Sequence, residues 1–191
     1  MANVGTGFSK PYVALYANSN GTNAFTSGQI LARGVSVSVE PNTVDDNNFY
    51  ADNIVAETEN GIVSGGTLTL TVDGLDSAAR RLIYGLPTAG SDGWVGFGNE
   101  ATHPYCAVGF IYRTMMLGVT AFWPVVFPKC KFNPYSEDMS TQEDQIDWQT
   151  LELTAQFMRD DTANQNWKYV SDTSYASETA AEAALKTFLN V

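Results

Sequence analysis

The sequence predicts a mainly β fold with one short packing helix and a second helix at the C-terminus. Two segments alternate strictly between apolar and hydroxyl-bearing residues, 34–40 (GVSVSVE) and 67–72 (TLTLTV). Since successive side chains of a strand point to opposite faces, each segment has one apolar face and one serine or threonine face. A third observation is the change to helical spacing after residue 72. We therefore expect a sheet with one dry face and one hydroxyl-lined face, which suits a wall that borders water.

Turn residues divide the β-rich part of the chain into strands. Asn20-Gly21 and Asn60-Gly61 are strong hairpin signals, and Pro41 is expected to end the strand before it. Seven strands are expected, at residues 12–17, 34–40, 49–57, 62–72, 105–115, 120–132 and 145–158.

Two segments have the spacing of amphipathic helices. In the first, apolar residues recur on one face, either Asp73 or Asp76 is placed to cap the N-terminus, and Gly85 is placed to end the helix. The second begins near Ser177, where Thr179 and Glu182 have the spacing of a capping box. A helix this short is marginal alone, so we expect it to dock on the sheet. We divide the chain into a β domain over residues 1–165 and a C-terminal extension over residues 166–191.

Composition and charge argue against simple nucleic-acid binding. The 191 residues include only 16% charged residues, against a usual level of about 25%. A surface poor in charge is typical of one that becomes an interface. The net charge is −11, whereas phosphate recognition requires clustered cations.

An acidic segment between the two alternating strands is the candidate assembly loop. No lysine or arginine occurs between Glu40 and Glu59. The segment has few apolar residues, so we expect it to be mobile alone and to order on binding a neighbour, with two aromatic side chains as anchors. The candidate residues are Glu40, Asp45, Asp46, Phe49, Tyr50 and Asp52.

The N-terminus lacks the basic and apolar regions of a signal peptide, and no apolar run reaches the roughly 18 residues of a membrane span. Synthesis in the cytoplasm is expected. Cys106 and Cys130 are then expected to be reduced and buried. They could face each other on neighbouring strands, so a disulfide that forms after synthesis is an alternative.

No motif predicts catalysis, a metal or a cofactor. His103 is the only histidine and has no nucleophile motif beside it. A site made of His103, Cys106 and Cys130 lacks the fuller ligand spacing of zinc sites. The paired aspartates lack the alternating pattern of a calcium loop. The glycine-rich loop 90–98 has no Lys-Ser/Thr ending, but its Trp94 could stack on a sugar. The alternative function is therefore a carbohydrate- or surface-binding β-sandwich module of a virion or secreted protein, and a hydrolase around His103 is a third alternative.

The order of these features resembles the major tail proteins, or tail tube proteins, of long-tailed phages that infect Gram-positive bacteria. The segments that carry the resemblance are 13–17 (VALYA), 34–41 (GVSVSVEP), 48–53 (NFYADN), 64–70 (SGGTLTL), 78–85 (AARRLIYG), 105–113 (YCAVGFIYR) and 141–151 (TQEDQIDWQTL). The resemblance covers roughly residues 10–160 and does not extend to the tail from Trp167.

The resemblance implies a tail-tube-like β-sandwich or half-barrel flanked by a helix. It also implies a structural virion protein that is made in the host cytoplasm and located in the phage tail. Such subunits form stacked hexameric rings, contact other tail proteins, and let DNA pass through without specific binding; no enzymatic activity or membrane contact is implied. The polar sheet face would then line the lumen, with Ser36, Ser38, Thr67, Thr69 and Thr71 as its candidate residues.

Overall fold

The structure is a computed structural model that describes residues 4–44, 47–51, 53–59, 61–98, 101–134, 137 and 148–191. Within these ranges the chain forms ten strands and two short helices, which confirms the mainly β prediction. The elements are β1 (Val4–Ser19), β2 (Thr22–Ile30), β3 (Gly34–Thr43), β4 (Asn47–Ala51), β5 (Ile54–Glu59), β6 (Val63–Val72), α1 (Ser77–Tyr84), β7 (Cys106–Met116), β8 (Val119–Phe132), β9 (Leu151–Met158), β10 (Tyr169–Val170) and α2 (Glu178–Leu189).

Most strands join one antiparallel sheet that curls back on itself. Its strand order is β2-β1-β7-β8-β9-β6-β3, and the short β10 adds to β8. Although β1 and β3 lie near opposite ends of this order, they contact each other. Gly34 of β3 permits this approach, because a Cβ there would overlap the ring of Phe8 in β1. The sheet therefore has the form of a half-barrel. Strands β4 and β5 pair separately as a hairpin.

The inner face of the curled sheet holds the main core, and α1 packs against it through Ala79 and Ile83. Asp76 caps this helix, since its carboxylate accepts a hydrogen bond from the Ala79 amide at 2.7 Å. Gly85 ends it in the left-handed region, with φ of 60°. Asp73, the other candidate cap, instead accepts from the backbone amide of Arg33 at 3.0 Å.

The second helix lies on the outer face of the same sheet, over β1, β7 and β8. Gly109 in β7 allows close contact, because a Cβ at this position would lie 2.7 Å from a methyl group of Leu185. Residues 166–191 thus pack on the sheet. Ser177 caps α2 by accepting from the Ala180 amide at 3.2 Å, so the capping-box prediction for Thr179 was wrong. In the part of the chain that the structure describes, no helix is long and apolar enough to cross a membrane.

Several strand boundaries differ from the sequence prediction. β1 begins at Val4 and not at residue 12, Thr22–Ile30 forms a strand that was not expected, and β9 begins at Leu151 and not at residue 145. Pro41 does not end β3, which continues to Thr43, with Pro41 opposite Gly66. A proline is tolerated here because β3 is an edge strand and needs no further ladder donor on its open side. The single strand expected over 49–57 is a hairpin, with Asn53 in the left-handed region between β4 and β5.

Candidate functional site

The hydroxyl-lined face predicted from the sequence is present on three adjacent strands, β3, β6 and β9. Antiparallel register places the side chains in three rows across these strands. We call this set the polar face; its rows are Ser36–Thr71–Glu152, Ser38–Thr69–Thr154 and Glu40–Thr67–Gln156.

The polar face is open in the single chain. Its serines, glutamates and glutamine are exposed and its four threonines are half-buried, while the alternate residues Leu68, Leu70 and Leu153 are fully buried in the core. The Ser36 hydroxyl donates to Thr71 Oγ1 at 2.8 Å, and Gln156 Nε2 donates to Thr67 Oγ1 at 3.3 Å. Such cross-strand bonds order the face without covering it.

Lys131 of β8, an exposed residue opposite Gln156, borders the polar face, which itself has no cation. Its nine side chains are hydroxyls, one amide and the carboxylates of Glu40 and Glu152. Duplex DNA is bound through lysine and arginine contacts to phosphate, and this face offers none.

The candidate assembly loop is divided by the structure. Glu40 lies in β3 and belongs to the polar face, and Phe49 and Tyr50 lie in β4, opposite Glu57 and Val55. Asp45, Asp46 and Asp52 lie outside the described residues. The expected mobility of this segment and its ordering on binding stay predictions.

An exposed apolar hairpin tip was missed in the sequence. At the turn between β7 and β8, Leu117 and Gly118 adopt positive φ values of 50° and 80°, and Leu117 is 80% exposed. Met115, Met116 and Val119 beside it are also exposed. The signal was available, since a turn of Met, Met, Leu, Gly and Val is unusual where polar residues normally stand. We call residues 115–119 the apolar tip.

The glycine-rich loop presents aromatic side chains to solvent. Trp94 is 79% exposed and Phe97 63% exposed. Phe97 also lines a cleft of about 750 Å³ that includes Arg80 and His103. This is the surface that the carbohydrate-binding alternative would use.

His103 has a structural environment. Its Nδ1 donates to the Phe132 carbonyl at 2.9 Å, and its ring packs edge-on against Tyr84 with centroids 5.2 Å apart. Cys106 and Cys130 are free and buried, and burial raises the pKa of Cys106 to about 12. Among the described residues, no group of three or more His, Cys, Asp or Glu is arranged to hold a metal ion.

No protein-family model matches this sequence, and no curated protein matches it. The function is therefore inferred from the surfaces described above.

Proposed function

We propose that this chain is a structural, non-enzymatic subunit of a phage tail tube, in which stacked rings of identical subunits enclose a channel for DNA. The observation that carries the proposal is the polar face: an ordered, uncovered sheet surface with hydroxyls, one amide and two carboxylates on β3, β6 and β9. A channel wall must be wetted and must not hold the polyanion that moves past it. Duplex DNA carries one charge per about 1.7 Å, so a cationic wall would retain it.

The proposal also requires surfaces that repeat from copy to copy. A tube grows through heterologous contacts, in which one patch of a subunit binds a different patch of the next. The chain offers two open sheet edges, β2 and β3, the β4–β5 hairpin, and the apolar tip. Burying Leu117 and its neighbours against a second copy removes apolar area from water. The net charge of −11 disfavours an anionic lipid surface as the occupant of the tip.

Electron microscopy of the concentrated, purified protein tests the proposal. We expect hollow tubes built of stacked rings. A variant without the β4–β5 hairpin sharpens the test: Thr43 and Val63 are register partners, so replacing residues 44–62 by Asn-Gly closes β3 onto β6 with a two-residue turn. This variant is expected to remain a folded monomer that forms no tubes, because the hairpin contacts a neighbouring subunit.

Trp94→Ala is the matched control, since Trp94 is a large exposed side chain outside the proposed interfaces. It should assemble like the unchanged protein. A chain that stays monomeric at every concentration would overturn the proposal. Normal tubes from the hairpin variant would show that the β4–β5 hairpin is not needed for assembly.

The exposed Trp94 and Phe97 favour a second candidate, a carbohydrate-binding module. Aromatic faces stack on sugar rings, and the neighbouring cleft has room for one. Binding of the monomer to an array of glycans, lost in Trp94→Ala and accompanied by no polymer, would support this candidate over the tube.

A further inference from the structure

We propose that Cys106 and Cys130 are a latent cross-strand pair that closes to an intramolecular disulfide when the folded chain meets a small-molecule disulfide oxidant. The two residues are direct partners in the antiparallel ladder between β7 and β8. This modification site is independent of the tube function, because it needs only the folded single chain.

The register places the two residues opposite each other, next to a register shift between Cys106 and Val108. Directly opposite residues of antiparallel strands have Cα atoms about 4.5 or 5.5 Å apart, and both spacings fall within the roughly 4.4–6.8 Å found for disulfides. Opposite residues also point to the same face of the sheet. Both cysteines accordingly belong to the inner core and are fully buried.

Neither sulfur is held away from the other by a strong partner. Cys106 Sγ lies 3.8 Å from the Pro104 carbonyl and Cys130 Sγ 3.7 Å from the Phe127 carbonyl, which are weak thiol contacts. The chain has two cysteines, so no other internal pairing competes.

Burial makes the reaction slow without making it unfavourable. The apolar surroundings raise the pKa of Cys106 to about 12, so its thiol is protonated in the closed structure. Cys106 is, however, the first residue of β7, and its neighbour Tyr105 is 42% exposed. Opening of this strand end brings Cys106 to solvent first, and oxidation follows at the rate of that opening.

The chemistry proceeds by two thiol–disulfide exchanges. The Cys106 thiol gives its proton to water, and the thiolate attacks a sulfur of glutathione disulfide, which forms a mixed disulfide and releases one glutathione. The Cys130 thiol then gives its proton to water, and its thiolate attacks Cys106 Sγ and displaces the second glutathione. Each glutathione leaves as a thiolate and takes up a proton from water. The protein loses two electrons and two protons, and the oxidant is reduced to two thiols.

The test is a redox titration of the full chain in glutathione buffers, folded and in urea, with free thiols alkylated before intact-mass measurement. The folded chain should show an effective thiol concentration roughly a hundredfold higher than the unfolded chain. By linkage, the oxidised protein should unfold roughly 5–10 °C higher than the reduced protein.

Cys106→Ser is the control, and it must give no internally oxidised species. A folded chain whose effective thiol concentration equals or falls below that of the chain in urea would overturn the proposal, because the fold would then not bring the sulfurs together.

Discussion

Asp160 shows how one buried charge fixes distant parts of this chain. The residue is 3% exposed and lies just after β9. Its carboxylate accepts side-chain hydrogen bonds from Tyr169 Oη at 2.6 Å, from Asn23 Nδ2 at 2.7 Å and from Thr162 Oγ1 at 2.7 Å. It also accepts a hydrogen bond from the backbone amide of Asn166 at 2.9 Å. These bonds tie the β1–β2 hairpin and β10 to the loop that follows β9.

Replacing this carboxylate should be costly. We expect Asp160→Asn to lower the free energy of unfolding by about 2–4 kcal/mol, because the amide loses charge-assisted bonds and turns a donor toward other donors. Denaturant unfolding measures the change. Asp161→Asn is the matched control: its partner Lys129 is 2.7 Å away, but half of the Asp161 side chain is exposed, so a loss of about 1 kcal/mol or less is expected. Equal losses in the two variants would show that the buried network adds no stability.

The same network predicts acid sensitivity. Burial acts to raise the pKa of Asp160, but the hydrogen bonds from Thr162, Tyr169 and Asn23 outweigh it and lower the pKa below its ordinary value. A lowered folded-state pKa stabilises the fold above the pKa of the unfolded chain, about 3.9 for aspartate, and this contribution is lost as the pH falls through the folded pKa. Stability should therefore fall below about pH 4, with a shallower fall in Asp160→Asn. The free energy of unfolding measured from pH 7 to pH 2 checks this, and parallel curves for the two proteins would contradict it.

The caps of α2 give a prediction for one element. Ser177 accepts the Ala180 amide, whereas the sequence favoured a capping box at Thr179, which lies inside the helix and is exposed. We expect Ser177→Ala to lower the free energy of unfolding by about 1 kcal/mol. Thr179→Ala should leave it unchanged or slightly higher, because alanine has the better helix propensity. Thermal unfolding of both variants distinguishes Ser177 from Thr179 as the N-cap of α2. A larger loss of stability in Thr179→Ala than in Ser177→Ala would support the capping box.

Alternation and cap residues made much of the fold predictable. The period of two in residues 34–40 and 67–72 placed the polar face on the correct side, because a buried sheet face forces that pattern. The network around Asp160 was not predictable, since its partners at positions 23, 166 and 169 come together only through tertiary packing. The extension of β3 past Pro41 depends on its edge position, which local sequence does not specify.

The sheet as a whole separates three surroundings. Its inner face encloses the main core, one part of its outer face lies under α2, and the other part is the polar face. The two parts of the outer face differ in the side chains that alternate, along each strand, with the core-facing residues. In β7 these are Ala107, Gly109 and Ile111, on which α2 packs, whereas in β3 and β6 they are serines and threonines, on which no helix packs. One continuous sheet thus provides both the support for a helix and an uncovered polar surface.

The position of the polar face in a tube is testable with a single charge. Thr69 lies at the centre of the face, between Ser38 and Thr154. If the face lines the lumen, Thr69→Lys places one cation per subunit on the wall, and assembled tubes should retain labelled duplex DNA at about 50 mM salt and release it at about 200 mM. Co-sedimentation of tubes with the DNA measures this retention.

Thr173→Lys is the control with the same change in net charge, since Thr173 is exposed in the loop after β10. A charge on the outside of the tube is screened over about 8 Å at physiological salt and should not hold DNA in the channel. Equal retention in the two lysine variants would contradict the prediction, because the added charge and not its place on the polar face would then hold the DNA. Retention confined to Thr69→Lys would identify the hydroxyl rows as the surface that DNA passes, because only a cation placed on that surface would then hold the DNA.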